Sequence, residues 1–172
     1  MDERERARIR AAIDAAEGGG GGPPTSDEQL RTLLTESHTI AVVGASPKPD
    51  RPSHGVLLAL KAAGWRILPV NPAADALANG VAGLPCYPNL AAAAASLPHG
   101  ARIDIVDVFR RSEDCAAVTR EAIAVNARVI WLQLGIISPE AATIAEEAGV
   151  TFVQDRCTAI EVQRLRITGP ND

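Results

Sequence analysis

A chain of 172 residues, 47% hydrophobic and 22% charged, has the size and composition of one packed domain, which excludes a wholly disordered or fibrous protein. The net charge of -4 and an aromatic content of only 3% argue against nucleic-acid binding, which needs basic patches and stacking rings. No apolar stretch approaches the roughly 20 residues that a membrane span needs, so no membrane association is expected.

Residues 1–24 are predicted to form an arm outside the domain. Met1–Glu17 mixes Asp, Glu and Arg with Ala, and the glycine run that precedes Pro23 and Pro24 is typical of a flexible linker. A solvated or partly helical arm is the simpler interpretation, and a partner-binding helix is the alternative. The first residues lack the apolar segment of an export signal. We expect the domain over residues 25–168 and a short tail over residues 169–172.

A capping box marks the first helix of the domain. Ser26 and Gln29 are spaced so that each side chain reaches the other's backbone, and the helix is expected to continue to about Thr35. The run Thr39–Val43 then predicts a strand buried on both faces. Further elements follow in alternation: helix 53–63, strand 66–70, short helix 89–96, strand 103–108, helix 112–125, strand 128–132, helix 139–148, strand 151–153 and helix 158–165.

This alternation predicts an α/β fold. Parallel strands joined by helical crossovers give a Rossmann-like, doubly wound parallel sheet in a single three-layer α/β/α domain. In such sheets ligands bind beyond the carboxyl ends of the strands, where the strand order reverses. The loops that follow the strands are therefore the places where site residues are expected.

The loop after the first strand is the strongest candidate for phosphate binding. A glycine there would let the backbone approach a phosphate, and the start of the next helix offers unpaired N–H donors and a favourable dipole. The usual dinucleotide fingerprint is incomplete because its second glycine is missing, so a simple surface turn is the alternative. The candidate contacts, which include hydroxyl donors and two cations, are Gly44, Ala45, Ser46, Lys48, Arg51 and Ser53.

The second strand ends in Val70, Asn71 and Pro72. An NAD-binding fold usually has an acidic residue here to hold the ribose hydroxyls. Since no Asp or Glu is present, ordinary NAD dehydrogenase chemistry is disfavoured. Asn71 in a rigid proline turn suits a contact with adenine or ribose instead.

Later strands end in Val108, Phe109 and Arg110, and in a segment that contains Gln133 and Gly135. Phe109 is expected to cover the ligand, Arg110 to meet an anionic group and Gly135 to permit close approach of the backbone. Core packing is the alternative for Phe109. A solvated helix start is the alternative for Arg110, although a cation there opposes the helix dipole unless an anion is nearby.

The three cysteines are widely spaced and form no Cys-x-x-Cys pair, which predicts neither a disulfide framework nor a zinc site and favours a reducing cytoplasm. Cys157 is the best thiol candidate, because the adjacent Arg156 would lower its pKa. A structural cysteine is the favoured interpretation, and a mixed disulfide with a thiol ligand is the alternative. No histidine has a triad partner visible in the sequence, so no catalytic residue and no metal are predicted.

An ordered set of motifs closely resembles the stand-alone CoA-binding domain family, which is related to the CoA-binding domain in the alpha subunit of succinyl-CoA synthetase. The resemblance extends from about Ser26 to Leu165. The motifs are Val43-Gly44-Ala45-Ser46, Arg51-Pro52-Ser53, Pro69-Val70-Asn71-Pro72, Gly83-Leu84-Pro85-Cys86-Tyr87-Pro88, Val108-Phe109-Arg110, Trp131-Leu132-Gln133-Leu134-Gly135 and Asp155-Arg156-Cys157.

The resemblance implies binding of coenzyme A or an acyl-CoA across the strand-end crevice. The pyrophosphate would lie near Gly44, Ala45 and Ser46, with Arg51 and Ser53 on the phosphate side. By the same implication, the segment 70–72 would lie near the adenosine. The ribose phosphomonoester of coenzyme A, with roughly −1.5 to −2 charge, explains a cation such as Lys48 or Arg51.

A binding or sensor module is the leading hypothesis for function. Related ligases also use a domain with a phosphorylatable histidine, which this chain is expected to lack. The alternatives are an NAD(P)- or other nucleotide-dependent enzyme, and a partner-binding structural protein with a vestigial pocket. A protein partner or a homo-oligomer stays open.

Overall fold

The computed structural model describes residues 26–170, so the predicted arm over residues 1–24 lies outside the described residues. Strands and helices alternate along this part of the chain. A short 3-10 helix, Ser112–Asp114, leads directly into α5. The elements are α1 (Asp27–Thr35), β1 (Thr39–Val43), α2 (Pro52–Ala62), β2 (Arg66–Val70), α3 (Ala74–Asn79), α4 (Leu90–Ala95), β3 (Ile105–Val108), α5 (Cys115–Ala124), β4 (Val129–Leu132), α6 (Pro139–Glu147), β5 (Thr151–Val153) and α7 (Thr158–Arg164).

The strands form one five-stranded sheet in the order β2-β1-β3-β4-β5, and every pair is parallel. Its register places Val43 opposite both Val70 of β2 and Val108 of β3. The carboxyl ends of these three strands therefore lie side by side. The predicted doubly wound α/β fold is confirmed.

Helices cover both faces of the sheet because alternate residues of each strand point to opposite sides. Ile40 and Val42 of β1 belong to one core cluster, together with leucines of α1 and α2 and with Val162 of α7. Ala41 and Val43 belong to a second cluster, which includes residues of α4, α5 and α6. The three-layer α/β/α architecture follows from this division.

Most predicted boundaries agree with the structure to within two residues. The capping box of α1 is present, with the backbone N–H of Gln29 donating to Ser26 Oγ at 3.1 Å. The predicted helix 112–125 begins instead as the 3-10 turn. The helix Ala74–Asn79 was not predicted, because it is only 6 residues long and no side chain caps its start.

After α7, the chain returns to the end of α2. Gly169 donates its N–H to the carbonyl of Ala63 at 2.6 Å.

Among residues 26–170, no helix has the length and apolar character that crossing a bilayer requires.

Candidate functional site

The strand order reverses at β1, whose neighbours β2 and β3 lie on opposite sides of it. This reversal is the place where open α/β sheets bind ligands, at the carboxyl ends of the strands. Three loops meet there, and we call residues 44–54, 70–72 and 108–110 the switch-point loops.

Gly44 lets two of these loops come into backbone contact. Its φ is +87°, and a Cβ at this position would lie 2.6 Å from the carbonyl oxygen of Phe109. The N–H groups of Gly44 and Ala45 both point to the carbonyl of Val70, at 2.9 and 3.4 Å. Packing therefore requires this glycine, a reason independent of the phosphate approach expected from the sequence.

The segment from Ser46 to His54 is closed into a ring by its own hydrogen bonds. The Ser46 N–H donates to Ser53 Oγ at 3.1 Å, and His54 Nδ1 donates to the Ser46 carbonyl at 2.9 Å. Ser46 Oγ in turn accepts from the Lys48 N–H at 3.2 Å. Each serine hydroxyl accepts one backbone bond, so each keeps its own hydrogen to donate; Ser46 is partly exposed, whereas Ser53 is buried. The ring fixes these two donors at the start of α2.

Asn71 ties the loop after β2 to the loop after β1. Its Nδ2 donates to the carbonyl of Ala45 at 2.7 Å, and its Oδ1 accepts from the Ala73 N–H at 2.9 Å. The amide thus holds the frame of the site, while the neighbouring Pro72 is exposed. Adenine or ribose contact by these residues stays a prediction.

Three cations surround the switch-point loops. Lys48 and Arg51 are exposed, and neither forms an ion pair with another residue in the described part of the chain. Arg110 crosses over Gly44, since its Cδ lies 3.3 Å from where a Cβ would stand, and its guanidinium reaches Asp114 at 3.7 Å. Asp114 supplies the anion that offsets this cation at the start of the next helix.

The other candidates from β3 are less accessible. Val108 is fully buried in the core, so only its backbone faces the strand end. Phe109 is partly buried and packs against the core cluster of α1, α2 and α7, while its N–H continues the pairing with β1 by donating to Val43 at 2.8 Å. Much of the Phe109 ring is therefore engaged in core packing.

Gln133 and Gly135 belong to a second group of loops, residues 133–138 and 154–158, which we call the β4–β5 rim. The Gly135 N–H donates to Asp155 Oδ1 at 2.7 Å, and the Ser138 N–H donates to Gln154 Oε1 at 3.1 Å. These bonds tie the loop after β4 to the loop after β5. The structure therefore divides the predicted contacts between the switch-point loops and the rim.

Asp107 is a functional-site candidate that sequence reasoning missed. It lies beneath the loops at the carboxyl ends of the strands. It is fully buried in β3, and its carboxylate accepts from Gln133 Nε2 at 2.5 Å and from Thr158 Oγ1 at 2.8 Å. Burial raises the pKa of Asp107 to about 7, although both hydrogen bonds oppose the shift. The available signal was a single acidic residue inside the apolar strand Ile105–Val108.

The prediction that Arg156 lowers the pKa of Cys157 is wrong. Burial is the largest influence and the charge of Asp107 adds to it, so the pKa of Cys157 is raised to about 11. Arg156 is engaged elsewhere, with Nη1 lying 3.6 Å from the buried carboxylate of Glu161. The thiol is thus held protonated at neutral pH. No cluster of three His, Cys, Asp or Glu side chains suited to a metal ion occurs within residues 26–170.

Comparison with known proteins gives consistent matches over this domain. The family model described as CoA binding domain matches residues 38–163. The uncharacterized protein YneT of Bacillus subtilis (strain 168) is 38% identical over 135 residues, which cover 78% of this chain and 93% of YneT.

Solved structures extend the comparison to the fold. A hypothetical protein from Pyrococcus horikoshii OT3 is 34% identical with a TM-score of 0.73, and the match covers 86% of this chain and 98% of that one. A Thermus thermophilus protein is 36% identical with a TM-score of 0.72, covering 81% and 98% respectively. These matches cover more than four fifths of the chain.

Proposed function

The chain belongs to the CoA-binding domain family, and from this premise we propose that it holds coenzyme A or an acyl-CoA in the switch-point loops, as a binding or sensor module. The carboxyl ends of β1, β2 and β3 frame the site. No catalytic residue is assigned, and a reducing cytoplasm fits the three free cysteines.

The observation that carries this proposal is a pair of exposed cations in the loop that leads into α2. Lys48 and Arg51 are exposed, in a protein of net charge -4, and engage no acidic side chain within residues 26–170. Coenzyme A presents a pyrophosphate and a ribose phosphomonoester, so it carries anionic groups for both cations.

Hydrogen-bond donors at the same place support a phosphate site. The hydroxyls of Ser46 and Ser53 are held in place by the ring described above. The amides of Gly44, Ala45 and Ser46 are already paired within the protein, and the first turn of α2 begins at Pro52, which has no N–H, while His54 donates its N–H to the Arg51 carbonyl. A phosphate is therefore directed to the hydroxyls and the cations rather than to backbone amides.

A nicotinamide dinucleotide is the weaker alternative for this site. The carboxylate that usually holds the adenosine ribose is replaced by Asn71, whose amide group is bonded to the protein frame. Gly135, at the rim, would lie toward the pantetheine arm, whereas the side chain of Gln133 is buried and bonded to Asp107 and Thr158.

The test is a matched pair of variants at the two ends of α2. Arg51→Ala removes a cation from the N-cap position, at the proposed phosphate site, whereas Lys61→Ala removes one from the last turn of α2 and gives the same net charge. Titration calorimetry with coenzyme A is expected to show about tenfold or greater weakening for Arg51→Ala and no change for Lys61→Ala, since charge-assisted hydrogen bonds contribute about 1.5–3 kcal/mol. Equal affinities of the two variants for coenzyme A would show that its phosphates do not bind at this site.

A further inference from the structure

The buried side chain of Asp107 connects three elements at the carboxyl-terminal end of the sheet. It lies on β3, its Oδ1 accepts from Gln133, which follows β4, and its Oδ2 accepts from Thr158, the first residue of α7. Gln133 Nε2 also donates to Thr158 Oγ1 at 2.9 Å, which closes a triangle of three hydrogen bonds. We call these three residues the Asp107 triangle.

The neighbours of Asp107 on the adjacent strands are apolar. Val42 of β1 and Trp131 of β4 lie opposite Asp107 in the sheet. At the N-cap of α7, the thiol of Cys157 is the titratable group that senses the charge of Asp107, and the charge of Glu161 in α7 also acts on that thiol. Within residues 26–170, no basic side chain forms an ion pair with Asp107. A carboxylate this isolated is expensive to keep charged.

The triangle connects the β4–β5 rim with the switch-point loops. Gln133 and Thr158 both belong to the β4–β5 rim, whereas Asp107 immediately precedes Val108 and Phe109 of the switch-point loops. The rim has a further bond to β3, since the Gln133 N–H donates to the carbonyl of Val108 at 3.2 Å. A change in the triangle therefore acts on the loops on both sides of the site.

We propose that Asp107 is a positioning residue: its carboxylate holds the β4–β5 rim against β3, and its protonation state is coupled to the order of the loops at the carboxyl ends of the strands. The charged form accepts two hydrogen bonds that are individually stronger than neutral ones, although burial of the charge costs more than these bonds return. The protonated form must donate its hydrogen, so the Thr158 hydroxyl has to reorient. The consequence for coenzyme A binding rests on the function proposed above, while the coupling to protonation does not.

The first experiment measures the unfolding equilibrium against pH for the wild type and Asp107→Asn. Because the folded-state pKa of about 7 exceeds the value of 3.8 for a free Asp, the folded protein binds more protons than the unfolded chain between these values. The stability contributed by protonated Asp107 is present at low pH and is lost as pH rises to about 7. The ratio of the wild-type to the variant unfolding constant is expected to rise roughly a hundredfold from about pH 5 to about pH 8.

The second experiment measures coenzyme A affinity at about pH 8, where Asp107 is charged. Thr158→Val removes a hydroxyl of the triangle with little change in shape, and Thr119→Val removes a buried hydroxyl of α5 that has no hydrogen-bond partner within residues 26–170. Loss of the triangle is expected to weaken affinity about fivefold or more in Asp107→Asn and Thr158→Val, as for one or two lost hydrogen bonds. Thr119→Val should bind as the wild type does.

The outcomes separate this proposal from the proposed function. A pH-independent ratio of unfolding constants would overturn the coupling of the triangle to protonation. Unchanged affinity in Asp107→Asn and Thr158→Val, with binding intact in the wild type, would overturn the positioning role. If the wild type binds no coenzyme A while the ratio still depends on pH, the proposed function fails and the coupling of Asp107 protonation to folding is upheld.

Discussion

Replacing Gly44 with alanine tests why glycine is required at this position. The close contact with the Phe109 backbone is one reason, and the positive φ is the other. A positive φ disfavours any residue with a Cβ, by roughly 1–2 kcal/mol. At Gly44 the new Cβ would also meet the Phe109 carbonyl oxygen at 2.6 Å, and both belong to paired strand ends that cannot move independently. Overpacking of this kind typically costs about 1–3 kcal/mol. We therefore expect Gly44→Ala to lose about 2–5 kcal/mol of unfolding free energy.

Gly83 provides a matched control. Its φ of +78° is close to that of Gly44, but no atom lies within 4 Å of the position that a Cβ would take there. Gly83→Ala should therefore show only the conformational cost, about 1–2 kcal/mol. Urea unfolding of both variants gives the difference, and the same preparations can be titrated with coenzyme A. Equal losses of stability would refute the conclusion that contact between the loops after β1 and β3 requires Gly44.

Two other predictions concern local stability and thiol chemistry. Ser26→Ala should lower the unfolding free energy by about 1 kcal/mol, because it removes the acceptor for the Gln29 N–H; urea unfolding measures this, and an unchanged midpoint would contradict the role of the cap. Cys157, with its pKa raised to about 11, should react with iodoacetamide at about pH 8 roughly a hundred times more slowly in the folded protein than in urea. Mass spectrometry resolves the labelled cysteine, and similar rates in both states would show that the thiol is not held protonated.

The strands could be predicted because their chemistry is local. Thr39–Val43 and Thr151–Val153 were bounded correctly from their β-branched and apolar residues, and the parallel arrangement followed from the helices between them. The switch-point loops could be located for the same reason, since strand ends define them. α3 was missed because six residues without a side-chain cap leave little pattern to detect.

Contacts between distant residues could not be predicted in this way. Asp107 and Thr158 are 51 positions apart, so nothing near either residue indicates their hydrogen bond. The error at Cys157 has a similar cause: Arg156 is adjacent in sequence, but its guanidinium turns to Glu161 while burial controls the thiol. Gly44 can be recognised from the sequence as a turn position, but its contact with Phe109 becomes visible only when the loops are brought together.

The most direct test is calorimetric titration of the wild-type chain with coenzyme A, dephospho-coenzyme A, NAD and ADP under identical conditions. Exposed Lys48 and Arg51 have no ion-pair partner within residues 26–170, and a ligand with both a pyrophosphate and a ribose phosphomonoester can satisfy both. Complete coenzyme A is expected to bind tightest, and dephospho-coenzyme A measurably more weakly. Equal affinity for all four ligands, or binding of none, would contradict a coenzyme A site in the switch-point loops.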